Sequence, residues 1–205
     1  MRIGIEKYGF LLSFTAMVLL LVSCQQGLDN NIATSTSQKP KSGTRWVYRY
    51  STYYPNGGLI SSSNVVYKAV SLEMLGTETW LKIVDSASNT PIFYLNEKTG
   101  GLYQYTGNSS NLFCKYPAAV NDTYNSFNGV DTADYFVRSI TDTLSLGLLG
   151  DLPVIYYEGI KVGQTVDKLW YNPKMWIAQR YMYRKFPLGV TYYKNASLIL
   201  QDFTY

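Results

Sequence analysis

The chain has 205 residues, a net charge of +4 and no histidine. Without histidine the commonest general base and metal ligand are missing, which excludes Ser-His-Asp and Cys-His catalysis and mixed Cys/His zinc sites. Tyrosine (20), tryptophan (4) and phenylalanine (8) stand against only 16% charged residues, a balance suited to half-buried pleated surfaces and so to an all-β fold.

Residues 1–23 have the layout of a signal peptide: Arg2 and Lys7 lead into an apolar run over 10–22, followed by the small Ser23. The run is shorter than the ~20 residues a spanning helix needs; an uncleaved anchor is the alternative. Leu21, Val22, Ser23 and Cys24 resemble, position by position, the lipobox of bacterial lipoproteins. The resemblance implies cleavage between Ser23 and Cys24, a diacylglyceryl group on the Cys24 sulfur and an acylated (palmitate-type) amino terminus. Each buried methylene contributes ~0.8 kcal/mol, so several chains hold where one visits. With the leader go Arg2, Lys7 and Glu6, which lowers the net charge by one, to +3. That charge is too mild and too scattered for nucleic acid.

Residues 25–42 are polar and aperiodic and lack the apolar surface to fold. Together with Cys24 they read as a lipidated tether, 24–42, ahead of a β domain over 43–205. Residues 45–50 alternate, placing Trp46, Tyr48 and Tyr50 on one face of a strand. Pro55, Asn56, Gly57 and Gly58 signal a hairpin turn, and 65–70 is the returning strand. Further strands are predicted over 79–84, 91–95, 102–105 and 112–116, the last ended by Pro117. Strands follow at 131–140, 153–160, 166–171, 175–184, 190–193 and 197–203. Residues 142–152 read either as a helical turn or as a buried strand with a bend; Gly147 and Gly150 disfavour a long helix. About eleven short strands spaced 8–14 residues apart predict a single antiparallel, strongly curved sheet forming a barrel or a half-barrel.

Three stretches together resemble envelope lipoproteins of the Bacteroidetes type. They are Gly43 to Tyr48 after the tether; Gly101 to Tyr105 with Tyr116, Pro117 and 121–124; and Leu169 to Pro173 with Trp176, Ile177, 187–190 and 198–203. The resemblance implies a curved sheet akin to lipocalins and half-barrel lipoprotein carriers. The chain departs from it at Asn121, where the pattern has glycine, and at Lys174, Met175 and Trp176, which replace a small glycine-containing turn. The triplets starting at Asp85, Asp131 and Asp142 resemble the three-residue O-glycosylation motif of exported proteins from that phylum.

Catalytic signatures are scarce. Neither a P-loop nor G-x-G-x-x-G nor G-x-S-x-G occurs, so no catalytic residue, metal ligand or cofactor site is assigned. Paired carboxylates, as in glycosidases, are the remaining catalytic option. Asn125, Asn128, Asp131 and Asp134 carry oxygens suited to calcium but read better as a solvated turn. Cys114 is either a small strand residue or an intermolecular or reactive thiol, and Arg180, Arg184 and Lys185 beside Tyr181 and Tyr183 read as a solvated basic face, with a basic aromatic stripe as the alternative. Trp46, Tyr48, Tyr50, Tyr103, Tyr105, Trp170 and Trp176 are the candidate ligand-facing aromatics. The expected protein is a non-enzymatic lipoprotein of the cell envelope, at the outer membrane, that binds a lipid, glycan or peptide. The alternatives are a structural subunit of an envelope complex and, third, a carbohydrate-active enzyme.

Overall fold

A computed structural model describes residues 39–127, 132–187 and 189–205. Residues 1–38, with the lipobox-like stretch Leu21–Cys24, lie outside them, as do Asn128 and Asp131 of the expected calcium-type set and Asp131 of one glycosylation-like triplet.

Twelve strands follow one another as β1 (Arg45–Tyr53), β2 (Leu59–Leu75), β3 (Glu78–Asp85), β4 (Pro91–Lys98), β5 (Gly101–Thr106), β6 (Ser109–Lys115), β7 (Thr123–Phe127), β8 (Thr132–Ser145), β9 (Asp151–Lys161), β10 (Gln164–Asn172), β11 (Trp176–Lys185) and β12 (Tyr192–Thr204). The only helical piece among the described residues is a single 3-10 turn, Gly147–Leu149. Residues 142–152 therefore hold the end of β8, this turn and the start of β9, and Leu148 is fully solvent-exposed. The stretches 190–193 and 197–203 merge into β12, and β7 is a strand that periodicity did not separate from the polar turn around it.

All strands belong to one antiparallel sheet in the order β6-β5-β4-β3-β2-β1-β12-β11-β10-β9-β8-β7. Every neighbour is a hairpin partner in sequence except β1 and β12, which pair the two ends of the domain, Arg45 against Thr204 through Thr52 against Ala196. Bulges interrupt the ladders of most pairs, for example at Val47/Tyr48 in β1 and Ala69/Ser71 in β2. Each adds local twist and bends its strand, and together they curl the sheet until it nearly closes into a barrel.

The closing line lies between β6 and β7, which are not neighbours in the ladder. Side chains join them. The Tyr124 hydroxyl donates to the Phe113 carbonyl at 2.9 Å, the Tyr157 hydroxyl donates to the Lys115 carbonyl at 2.5 Å, and Lys115 meets Asp122 at 2.9 Å. Gly101 is required nearby: its φ of 141° is closed to most residues, and a Cβ would run into the Cys114 carbonyl.

Alternation puts one face of each strand inside. Trp46, Tyr48, Ile83, Leu95, Leu102, Phe113, Tyr135, Tyr157, Leu169 and Leu200 are among the buried residues of one continuous core. The gap left among Trp46, Tyr48, Tyr67, Phe93 and Trp176 is about 10 Å³. That is barely room for one water molecule, so this part of the core is filled by its own side chains.

A buried ion pair sits within this packing. Arg180 reaches Asp167 through Nη2 at 2.7 Å and Nε at 3.1 Å, and Tyr135 donates to the same carboxylate at 2.6 Å. Arg180 is 6% exposed and Asp167 1%. This corrects the reading of Arg180 as part of a solvated basic face: the register of β10 and β11 turns it inward, while Arg184 and Lys185 stay exposed. Burial, the largest single influence, would lower the affinity of Arg180 for its proton, but the Asp167 charge and its hydrogen bonds, with Tyr135 and Cys114 beside them, together outweigh it and hold the guanidinium above its ordinary range.

Candidate functional site

The residues 39–44 arrive at β1 through a tight turn. The Thr44 backbone N–H donates to the Lys41 carbonyl, the Lys41 N–H donates to the Thr44 hydroxyl, and Ser42 and Gly43 tie to Val70 and Ala69 of β2. This anchors the turn, while Lys39 and Pro40 ahead of it run toward β4 as a short strap. Lys39 meets the Glu97 carboxylate at 2.7 Å; its side chain is 57% exposed and that of Glu97 only 17%. So exposed a lysine contributes little, on the order of 0–1 kcal/mol.

Beneath the strap lies a groove of about 440 Å³, lined by Lys39, Pro40, Lys41, Ser42, Leu72, Leu81, Leu95, Asn96, Glu97 and Trp176. That volume falls in the range of small-molecule sites. Its apolar floor follows from register, because Leu72 pairs with Leu81 and Leu81 with Leu95, which sets one leucine row across β2, β3 and β4. Leu81 and Leu95 are buried, whereas Leu72 is 66% exposed although it belongs to the same row.

Two of the lining residues each carry a buried polar atom without a protein partner: the second carboxylate oxygen of Glu97 (Oε2) and the indole Nε1 of Trp176. A buried polar group left unpaired costs about 1–3 kcal/mol. Trp176 is strained as well. Its φ of 67° lies in the left-handed region, and a bulky side chain there costs on the order of 1–3 kcal/mol. Asn121, the other departure from the resembling pattern, also has a positive φ, 71°. Both positions thus take a backbone shape that glycine takes without cost, and at Trp176 the chain spends that strain on an indole placed at the groove.

The candidate aromatics do not converge on one surface. Trp46 and Trp176 stack with ring centres 6.1 Å apart, and Trp46 and Tyr48 give their polar hydrogens to the Met175 and Ile177 carbonyls at 2.8 Å. Tyr50 packs on the same core. Tyr103 and Tyr105 instead join a separate cluster, in which Lys98 sits 4.3 Å over Tyr103 and Trp80 packs on Tyr105. Trp170 stacks on Tyr156 at 4.7 Å, on the far side of β10 from the buried Leu169. Of the seven, Trp176 alone lines the groove.

Glu97 was not singled out by sequence, since one carboxylate beside a Lys-Thr-Gly turn looks like any solvated strand end. The chemistry available in the groove is limited: Glu97 is the sole carboxylate among its lining residues, so the paired carboxylates of a glycosidase are not assembled there. Among the described residues no cluster of three or more acidic or cysteine side chains suits a metal ion, and Asp134 of the calcium-type set accepts a hydrogen bond from Asn125 at 3.1 Å. Cys114 is fully buried, and burial pushes its thiol well above the usual range. It reads as a packed strand residue and not as a nucleophile. Of the glycosylation triplets, Asp85 uses its carboxylate to cap the β3–β4 turn at Ala87 and Ser88, which leaves Ser86 exposed.

No protein-family model matches the chain, and no curated protein does. Two solved structures are similar to it. One, from Bacteroides fragilis, is named as an exported protein with a YmcC-like fold; it is 12% identical, covers 82% of this chain and 99% of its own, and superposes with a TM-score of 0.43. The other, from Parabacteroides distasonis, is named as a lipoprotein; it is 14% identical, covers 83% of this chain and 100% of its own, with a TM-score of 0.42. Neither likeness bears on what the groove holds.

Proposed function

We propose that this protein is a non-enzymatic lipoprotein of the bacterial cell envelope, held at the outer membrane through acylated Cys24, that binds a ligand in the groove under the Lys39–Ser42 strap. The observation that carries the binding reading is a 440 Å³ groove with a leucine floor, two of whose lining residues, Glu97 and Trp176, each hold a buried polar atom without a protein partner. Proteins satisfy such atoms almost everywhere, and each exception calls for an explanation. The gap of about 10 Å³ among Trp46, Tyr48, Tyr67, Phe93 and Trp176 holds no lipid, sugar or peptide, which leaves the groove, where the core leucines Leu81 and Leu95 meet the strap. The anchor rests on the Leu21, Val22, Ser23, Cys24 resemblance and on the polar stretch behind it.

A second reading, a subunit of an envelope assembly, is favoured by the exposed apolar tip of the β1–β2 hairpin. There Tyr54, Leu59 and Ile60 are each more than half exposed.

Both readings meet one experiment. The full-length protein is extracted from membranes with mild detergent and weighed intact. A bound small molecule that disappears in Leu72→Trp, which fills the groove from its open side, supports the groove. A stoichiometric protein retained by Leu72→Trp and lost in Ile60→Asp supports the assembly reading. Cys24→Ser should abolish acyl labelling and release the protein from membranes; full membrane retention after export would end the anchor reading.

A further inference from the structure

We propose that the end of the barrel opposite the groove docks on an anionic lipid surface, through apolar loop tips backed by aromatic rings and basic side chains. This surface is separate from the groove and does not rest on it.

Three connections meet at that end. Thr52 pairs with Ala196, so the β1–β2 hairpin and the β11–β12 connection leave the barrel side by side. Gln164 ties the β9–β10 turn to the same place. Its side-chain amide donates to the Val190 carbonyl at 2.9 Å, and its side-chain oxygen accepts from the Tyr192 N–H at 3.1 Å. The strap joins β1 at Arg45, the other end of that nine-residue strand.

Each connection holds apolar side chains out to solvent. Tyr54, Leu59, Ile60 and Val190 are each more than half exposed, and Val162 is 89% exposed. Val162 also has a φ of 49°, in the left-handed region where a β-branched residue is a rare and costly choice. Glycine or asparagine would turn the chain there with less strain, and so exposed a valine adds nothing to the core. Folding alone gives no reason for a valine at this position.

Behind the tips stand rings and cations. Phe186 packs on Tyr193 with ring centres 4.9 Å apart, and the Lys194 ammonium lies 4.0 Å over Tyr53. Arg184 and Lys185 are exposed. Residues 54–60, 160–166 and 181–194 contain no aspartate or glutamate. Glu158, on β9 beside this end, is paired with Arg138 at 2.9 Å.

That layering matches a bilayer surface. Aliphatic tips enter the acyl boundary, tyrosine rings sit at headgroup depth, and lysine and arginine are drawn to anionic headgroups. A stable protein partner needs a continuous patch of about 800 Å²; here the apolar side chains stand on separate tips, with Asn56, Gly57 and Gly163 among them. Chain length permits the contact. Residues 25–38 reach up to about 50 Å when extended, against about 27 Å for β1, so a chain held at Cys24 can bring either end of the barrel to a bilayer.

The test uses the full-length protein reconstituted into vesicles, with Thr191→Cys carrying a fluorophore at the loop. The unchanged chain, labelled in the same way, gives the background. Vesicles of phosphatidylcholine alone are compared with vesicles containing phosphatidylglycerol as about one third of the lipid, both doped with spin-labelled phospholipid as quencher. The proposal expects quenching of the loop probe to be about twofold stronger, or more, with phosphatidylglycerol. The combined change Arg184→Gln, Lys185→Gln and Lys194→Gln should return it to the phosphatidylcholine level, as should Ile60→Asp with Val162→Asp, each with unchanged circular dichroism. Leu72→Trp, at the opposite end, should leave the quenching as it was, so failure of the groove reading and failure of this one are told apart. Equal quenching in both vesicle types, or quenching unmoved by both sets of changes, overturns the proposal. An unquenched probe overturns it as well; if a co-purifying protein is then lost in Ile60→Asp, the tips belong to a protein partner.

Discussion

The Tyr124 hydroxyl donates to the Phe113 carbonyl across the line where β6 and β7 meet without a ladder. The tyrosine also stacks on Tyr135 at 5.4 Å and meets Tyr157 edge-on at 6.0 Å, so its ring is fixed by packing before its hydroxyl bonds. Barrel closure here is a side-chain event, in which rings on β7 and β9 reach carbonyls on β6 that have no strand beside them.

Tyr124→Phe therefore keeps the ring and loses one bond at the seam. The expected cost is about 1 kcal/mol, read as a lower urea midpoint with unchanged slope. Amide exchange should quicken in Leu112 to Lys115 and stay slow in β1 and β12. Uniform acceleration over the whole sheet would show that the seam opens only with global unfolding.

Breaking the interior ion pair should be much more costly. Arg180→Met leaves Asp167 charged and buried, for a loss of about 3–5 kcal/mol. The triple change Asp167→Leu, Arg180→Met and Tyr135→Phe removes all three of these polar side chains together and should recover most of that loss. A triple variant no more stable than the single one would mean that the network sets the register of β10 on β11 as well as its energy.

Cys114 should resist thiol reagents in the native protein at pH 7–8 and react at the unfolded rate once urea opens the barrel. Its labelling rate then reports opening of the β5–β6 region. Rapid labelling of the native protein would contradict a fully buried thiol.

The aromatic core predicts alkaline sensitivity. Burial raises the hydroxyls of Tyr48, Tyr124 and Tyr135 well above the ordinary range, and those of Tyr67 and Tyr156 to about 12. The folded state therefore holds these protons more tightly than the unfolded chain, whose tyrosines release theirs near pH 10. The stabilisation is complete below about pH 10 and is lost as pH rises through the folded values. A tyrosinate absorbance titration should show a fast exposed fraction, with the remainder appearing only together with loss of β signal in circular dichroism. At the acid end the sign reverses. Backbone donors hold the Asp85 and Asp122 carboxyls below their usual range, so their contribution is present above about pH 4 and fades as pH falls.

Period-two alternation told the strands and their faces before any coordinates, as at Trp46 and Tyr48, because a strand's two sides are a local property of the chain. Glycine- and asparagine-rich turns told where strands end for the same reason. Histidine's absence, and the cysteine at the end of the apolar run over 10–22, are likewise matters of composition and position that need no tertiary structure. The rest depended on which strands lie across from one another. Trp46 bonds to Met175, 129 positions away, and no local pattern predicts a contact that distant. Arg180 looks solvated in sequence because its neighbours Arg184 and Lys185 are; the register of β8 through β11 places Asp167 and Tyr135 beside it. The groove is of the same kind. Its floor comes from β2, β3 and β4, its strap from the residues before β1, and its indole from the start of β11, so only the nearly closed barrel could assemble it.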